Sequence, residues 1–259
     1  MNALLDLDAR LVIAHRGASG LAPENTLDAF DLAAKGGADA FELDVRLSRD
    51  GAPVVIHDAV LDRTTDRTGP VRGYTVADLR MVDAGFHFTT DRGNTFPFRG
   101  SSARIPTLGE VLWTFPGMPM LIEVKEPEVQ AAVQRVLVNE SATERCVLAS
   151  EHQEALELFT WPPFTRAASG PEISALYRSV LLHRRLPRVS YRLLSVPEKY
   201  RLLTVPTSRF VAAARSLGCP VDVWTVNETA TARALWARGV AGIVTDLPDQ
   251  ILASRSSAK

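Results

Sequence analysis

Short apolar runs and helical patterns alternate along almost the whole chain, and few architectures accept that rhythm. "LVIA" (residues 11–14) leads to an expected helix over residues 25–35 that stops at Gly36-Gly37. "AFELDV" follows, and "RDGAPVVIH" reads as a turn at Asp50-Gly51 feeding a short strand. Further on, "PMLIEVK", "RCVLAS", "TRAAS", "YRLLSV", "PVDVWTV" and "AGIVTD" read as strands. Between them, "TLGEVLWTF", "EVQAAVQRVLV", "HQEALELF", "ISALYRSVLLHR", "SRFVAAARSLG" and "TATARALWARG" read as helices. Alternation with near-continuous apolar strands implies a parallel sheet. About eight such units in 259 residues fit an α/β fold, a (β/α)8 TIM barrel. An open doubly wound sheet competes, but no G-x-G-x-x-G follows the first strand and no GxxxxGK[ST] loop is present. Residues 1–259 read as a single barrel domain. The segment at about 58–104, rich in Gly, Thr, Arg and Asp, breaks the rhythm and is expected as an insertion over the barrel mouth.

Composition narrows the function. The net charge is −1, which gives no support for a general nucleic-acid or membrane-surface role. Cys146 and Cys219 form no C-x-x-C pair and no zinc spacing, and Cys219 begins its strand, at the end opposite the mouth. The start "MNALLDLDARL" carries acids among its leucines and is no signal peptide, and no run is long enough to span a bilayer. A soluble cytoplasmic protein is expected. The basic helix end "LLHRRLPR" (residues 181–188) reads as a solvated terminus with favourably placed cations, so membrane contact is not expected.

In a parallel barrel the carboxyl ends of the strands line one mouth. Those ends carry His15-Arg16, Glu42 and Asp44, His57, Glu123 and Lys125, Trp224 and Asp246. Residues two apart on a strand face the same side, so Glu42 joins Asp44 and Glu123 joins Lys125. A barrel without chemistry would place Val, Ile or Leu there. Each carboxylate alone could be an ordinary ion-pair acid; three at equivalent positions fit a hard divalent cation, Mg²⁺, Ca²⁺ or Mn²⁺, rather than zinc. Arg16 and Lys125 would neutralise those acids and attract a phosphate. His15 and His57 suit general acid–base work on a phosphodiester, whose alcohol leaves poorly unless protonated. Trp224 reads equally as the floor of a pocket and as core. His87, His152 and His183 fall off the strand ends and are taken as structural.

With these residues in view, the chain resembles the glycerophosphodiester phosphodiesterases, within the phospholipase-C-like TIM-barrel phosphodiesterases. "AHRGASGLAPENTLDAF", "GADAFELDVRLSRDGAPVVIHDAVLDRTTDRTG", "IPTLGEVL", "LIEVK", "PVDVWTVN" and "GVAGIVTDLPD" carry the likeness, in the family's order and over most of the chain. The resemblance implies that His15 and His57 are the acid/base pair and that Glu42, Asp44 and Glu123 hold one divalent cation. It implies that Arg16 and Lys125 bind phosphate, that Glu24 and Asn25 of "PENT" border the substrate, and that segment 58–104 is the small insertion that sets these enzymes apart from their barrel relatives. Read from the residues alone, Asn25 is as well a helix N-cap. Residues 165–195 carry no part of the likeness; Glu198 or Tyr200 is a candidate contact for the alcohol. The implied activity is metal-dependent hydrolysis of a small-molecule glycerophosphodiester to glycerol 3-phosphate and an alcohol. The alternatives are lysophospholipase D-like cleavage of a lipid and a non-catalytic phosphate-ester binding barrel.

Overall fold

A computed structural model describes residues 2–201 and 203–255. Its centre is a ring of parallel strands. They are β1 (Leu11–His15), β2 (Ala40–Leu47), β4 (Met120–Val124), β5 (Cys146–Ala149), β6 (Leu194–Pro197), β9 (Val221–Trp224) and β10 (Gly242–Thr245). The ladder runs β5-β4-β2-β1-β10-β9-β6, so β1 lies between β2 and β10. Residues 165–168 close the ring: single bridges join Arg166 to Leu148 and Ala167 to Leu193. The "TRAAS" run is thus an eighth stave held by bridges rather than a full ladder. The helices α1 (Leu27–Lys35), α3 (Leu108–Thr114), α4 (Gln130–Asn139), α5 (Gly170–Leu181), α6 (Ser208–Ser216), α7 (Thr229–Ala237) and α8 (Pro248–Arg255) follow the staves and pack outside them. The expected "HQEALELF" helix is a 3-10 helix, Gln153–Phe159.

Strand β3 (Pro53–Val55) departs from the expected rhythm, since it pairs antiparallel with the end of β2. The Asp50-Gly51 turn makes a hairpin, so "PVV" is a return strand and not a stave. From β3 the chain enters the 58–104 segment, which contains α2 (Val76–Leu79). Val54, Ile56, Leu61, Val71, Leu79, Val82 and Ile105 form a satellite core under it, separate from the clusters that bind helices to barrel. A second hairpin, β7 (Lys199–Tyr200) and β8 (Leu203–Thr204), follows β6 and leaves Tyr200 exposed.

The inward side chains change character along each stave. Leu11 and Ile13 precede His15 on β1; Ala40 precedes Glu42 and Asp44 on β2; Leu121 precedes Glu123 on β4; Val244 precedes Asp246 after β10. The apolar members pack with Val147, Ala149, Ala167 and Leu193 into a buried plug. Burial of its Leu, Ile and Val side chains stabilises the barrel by about 1.5–3 kcal/mol each, the alanines adding less, and it leaves the carboxyl ends free for charge. Outside the wall, Phe30, Phe41 and Phe115 fasten α1 and α3 to β2, with Phe41 centred 5.1 Å from each of its partners.

One inward group on β9 breaks the apolar plug. Asp222 is fully buried, and neither of its oxygens has a hydrogen-bond partner among the described residues. Its neighbour must be glycine, because a Cβ on Gly242 would lie 2.3 Å from the carboxylate. Burial alone pushes the Asp222 carboxyl up to about 8. The folded chain therefore keeps a proton that the unfolded chain releases near the ordinary value of 3.8, so stability falls as pH rises between these values. Asp222→Asn removes that slope. Chemical denaturation from pH 5 to 8 is expected to show the variant gaining on the parent chain by about 1.4 kcal/mol per pH unit at most. A difference independent of pH would mean that Asp222 is ionised in place.

Candidate active site

The mouth is built from three tight backbone devices. Arg16 follows β1 in the left-handed region (φ 56), and its N–H donates to the Glu42 carbonyl at 2.9 Å. Gly17 must be glycine, since a Cβ there would sit 2.6 Å from the Ala29 backbone. Asn25 is also left-handed (φ 58), and its N–H donates to the Arg16 carbonyl at 2.9 Å. Non-glycine residues held in this region concentrate at functional sites. Thr26, not Asn25, caps α1, by accepting from the Ala29 N–H. Asn25 is freed from the capping role, and its buried amide donates to Asp44 Oδ2 at 2.8 Å.

Glu42, Asp44 and Glu123 come together as parity requires, with one oxygen from each within 4.8 Å of the others. Asp44 is fully buried between two cations: Lys125 Nζ is 2.9 Å from Oδ1, and Arg16 Nε is 3.1 Å from Oδ2. Lys125 also reaches Glu123 Oε2 at 2.8 Å. Burial would raise the Asp44 carboxyl, but Lys125 and Arg16 outweigh it and hold it below the ordinary range. Glu42 has no such cation in contact; burial and then the Asp44 charge push it up to about 8. Glu123 is raised as well, by burial and by Asp44, against the pull of Lys125. A divalent cation held by these three acids would relieve this conflict. The donors are hard oxygens, and a carboxylate oxygen such as Asp44 Oδ1, 2.9 Å from Lys125 Nζ, keeps a second lone pair for a ligand bond.

The two histidines are held alike. His15 Nδ1 lies 2.6 Å from Asp246 Oδ1, and its Nε2 is 3.9 Å from Glu42 Oε2. Asp246 also accepts from Ser19 Oγ at 2.8 Å and Asn227 Nδ2 at 2.7 Å. Burial would raise Asp246, yet the bonds from His15, Asn227 and Ser19 keep it down at about 2. An ionised carboxylate only accepts, so Nδ1 of His15 carries a proton and Nε2 faces the mouth. Burial lowers the His15 pKa, but Asp246 and Glu42 raise it by more. His57 arrives by the β2–β3 hairpin, which returns Ile56 to donate to the Asp44 carbonyl at 3.0 Å. Its Nδ1 is 2.6 Å from Asp58 Oδ1, and its carbonyl accepts from Arg46 Nε at 2.7 Å. Asp58, which burial would raise, is held at about 2 by Arg63 and His57.

Glu24 stands beside these groups: Oε1 accepts from Arg16 Nη1 at 2.8 Å. Trp224 is half-buried on the inner face of β9, packed against the barrel plug, and its carbonyl accepts from the Glu198 N–H at 3.1 Å. No hydrogen bond or ion pair joins the side chains of His87, His152 or His183 to these residues; His87 stands edge-on to Phe86, 4.9 Å between ring centroids. Asp58, Arg63, Ser19 and Asn227 escape a reading of strand ends because they lie on turns and loops. Asp246 was visible as a strand end but not as the partner of His15. The signal was there in the β1–β10 pairing, which any closed barrel requires and which sets Ala14 beside Thr245.

Residues 15–250 match the sequence profile of the glycerophosphoryl diester phosphodiesterase family. The chain belongs to that family. The Bacillus subtilis protein YhdW is 36% identical to it, over 93% of this chain and 96% of that one. A glycerophosphodiester phosphodiesterase of Caldanaerobacter subterraneus is 32% identical with the same coverage of each chain. Among solved structures, the glycerophosphoryl diester phosphodiesterase domain of Mycobacterium tuberculosis Rv2277c shares the fold (TM-score 0.85, 24% identity, 96% of this chain and 99% of that one). An Oleispira antarctica phosphodiesterase in complex with the product sn-glycerol-3-phosphate aligns with TM-score 0.76 and 28% identity over 95% of this chain and 96% of that one. Membership of the glycerophosphoryl diester phosphodiesterase family makes this protein a phosphodiester hydrolase built on a TIM barrel.

Replacement of Asp246 by Asn removes the charge that raises the His15 pKa. NMR titration of the imidazoles is expected to show His15 losing its proton at lower pH in Asp246→Asn than in the parent chain; an unmoved midpoint would assign the upward shift to Glu42 alone.

Proposed function

We propose that the protein hydrolyses a glycerophosphodiester to glycerol 3-phosphate and an alcohol, with one divalent cation at Glu42, Asp44 and Glu123. The carrying observation is the pair of histidines, each with Nδ1 tied to an ionised carboxylate, on either side of that acidic cluster. Mg²⁺ and Ca²⁺ suit the oxygen donors, with Mn²⁺ a third choice. When bound, the cation supplies Lewis-acid polarisation of a phosphoryl oxygen.

The chain's own groups account for the remaining steps. Arg16 and Lys125 flank the cluster and meet the negative phosphoryl oxygens, Arg16 as a fork and Lys125 as a point charge. Neither cation needs to be recruited, because Asp44 already holds both in place. With Nδ1 protonated, each imidazole presents Nε2 to the reacting atoms. One takes the proton of the attacking oxygen, and the other returns a proton to the alkoxide as its P–O bond breaks. One P–O bond forms as the other breaks; the acid, an imidazolium before the step, ends neutral and the base ends protonated, so the pair regains its starting state by exchanging a proton with solvent. Trp224, half-buried on the inner wall, offers a flat apolar face to the carbon skeleton of the alcohol portion. The Oleispira relative, crystallised with sn-glycerol-3-phosphate, supports the choice of product. Paired acid–base groups favour turnover over simple binding, which needs only the cations.

Release of glycerol 3-phosphate from glycerophosphocholine or glycerophosphoethanolamine tests the reading. Turnover is expected with Mg²⁺ or Ca²⁺ and not with EDTA. His15→Ala and His57→Ala are each expected to lower kcat by about 10²–10⁴-fold. Tight phosphate-ester binding without turnover would identify a binding barrel, and turnover only on lysophospholipid vesicles would redirect the substrate to lipid.

A further inference from the structure

Arg63 lies in the 58–104 segment, outside every strand end, yet its guanidinium joins two acids of the mouth that come from different loops, Glu24 and Asp58. Its Nη1 and Nη2 donate to Glu24 Oε2 and Oε1, both at 2.7 Å, and its Nε donates to Asp58 Oδ2 at 2.5 Å. Each partner passes the contact inward. Glu24 holds Arg16, and Asp58 holds His57 Nδ1. A line of ion pairs therefore runs without a gap from Asp44 through Arg16, Glu24 and Arg63 to Asp58 and ends on the His57 Nδ1 that Asp58 holds.

We propose that Arg63 is a positioning residue that ties the orientation of the His57 imidazole to that of the Arg16 guanidinium. The proposal rests on the hydrolase reading above and extends it to a residue that touches no reacting atom. An isolated surface ion pair would carry little weight, and Arg63 is itself 48% exposed on its side chain. Two features set it apart. Its three donors address two carboxylates at once, a geometry that the planar guanidinium supplies and an ammonium does not. Its backbone is also pinned on both sides. Leu61 is buried in the satellite core, and Thr65, buried as well, donates its N–H and its Oγ1 to the Leu61 carbonyl at 3.2 and 2.9 Å. The segment thereby presents a fixed fork to the mouth. Without that fork, Glu24 and Asp58 lose their shared counter-charge, and Asp58 has only His57 to orient it.

The test combines kinetics with a readout that a purely structural residue would not move. Arg63→Ala is expected to lower kcat by about 10–100-fold, the usual effect of an outer partner of a site, with KM little changed. Arg63→Lys should recover little of this, while added guanidinium ion should restore part of the rate of the alanine variant. Arg63→Ala combined with Asp58→Asn should lose no more than the worse of the two alone, because both break the same line. Nitrogen NMR of the imidazoles should show His57 protonated at Nδ1 in the parent chain and mixed between tautomers in Arg63→Ala. Unchanged kcat, full rescue by lysine, additive losses or an unmoved tautomer would each overturn the proposal. If the parent chain turns over no glycerophosphodiester, the hydrolase reading fails, and the His57 tautomer still decides the role of Arg63.

Discussion

Asp44 carries a negative charge at a place from which water is excluded, and nearly every feature of the mouth answers that fact. The cost of burying an isolated carboxylate is several kcal/mol even after relaxation. Lys125, Arg16 and the Asn25 amide meet that cost from three separate elements: the end of β4, the turn after β1 and the loop before α1. The turns that bring them in are strained, with Arg16 and Asn25 both left-handed. Strain and charge are thus concentrated in one layer. The apolar plug beneath it, from Leu11 to Val244, is interrupted by a single buried acid, Asp222, and otherwise supplies the stability that the layer above consumes.

The second organising feature is a repeated motif on unrelated parts of the chain. His15 ends a stave and finds its carboxylate on β10's far end; His57 ends a returning hairpin and finds its carboxylate in the next residue. In both cases an ionised acid at Nδ1 fixes the tautomer and turns Nε2 outward. The acids in turn are fixed by further donors, Ser19 and Asn227 for Asp246 and Arg63 for Asp58. The layer is therefore ordered before any substrate arrives, which is what the proposed acid–base pair would require of its surroundings.

Much of this was legible in the chain. Strands buried on both faces read as unbroken apolar runs, so the barrel could be counted, and the two-residue period put Glu42 with Asp44 without knowledge of the fold. The parts that were not legible share a cause: they depend on where loops land. His57 follows an apolar run like His15, and only the antiparallel register of β3 shows that it reaches the mouth from the opposite direction. Asn25 fits an N-cap by type, but the neighbouring Thr26 takes that position and sends Asn25 to Asp44. Asp246 is 231 residues from its histidine, and Arg63 sits in a segment whose periodicity carries no signal. The "TRAAS" run has a strand's pattern, and it pairs as one only through single bridges at Arg166 and Ala167.

The claim on which the rest stands is that Glu42, Asp44 and Glu123 hold a divalent cation. Calorimetric titration of the metal-stripped chain with Mg²⁺, Ca²⁺ and Mn²⁺, beside Asp44→Asn, tests it directly. A single site per chain is expected for at least one of these ions, and its loss in the variant. No binding to the parent chain, or equal binding to Asp44→Asn, would contradict it.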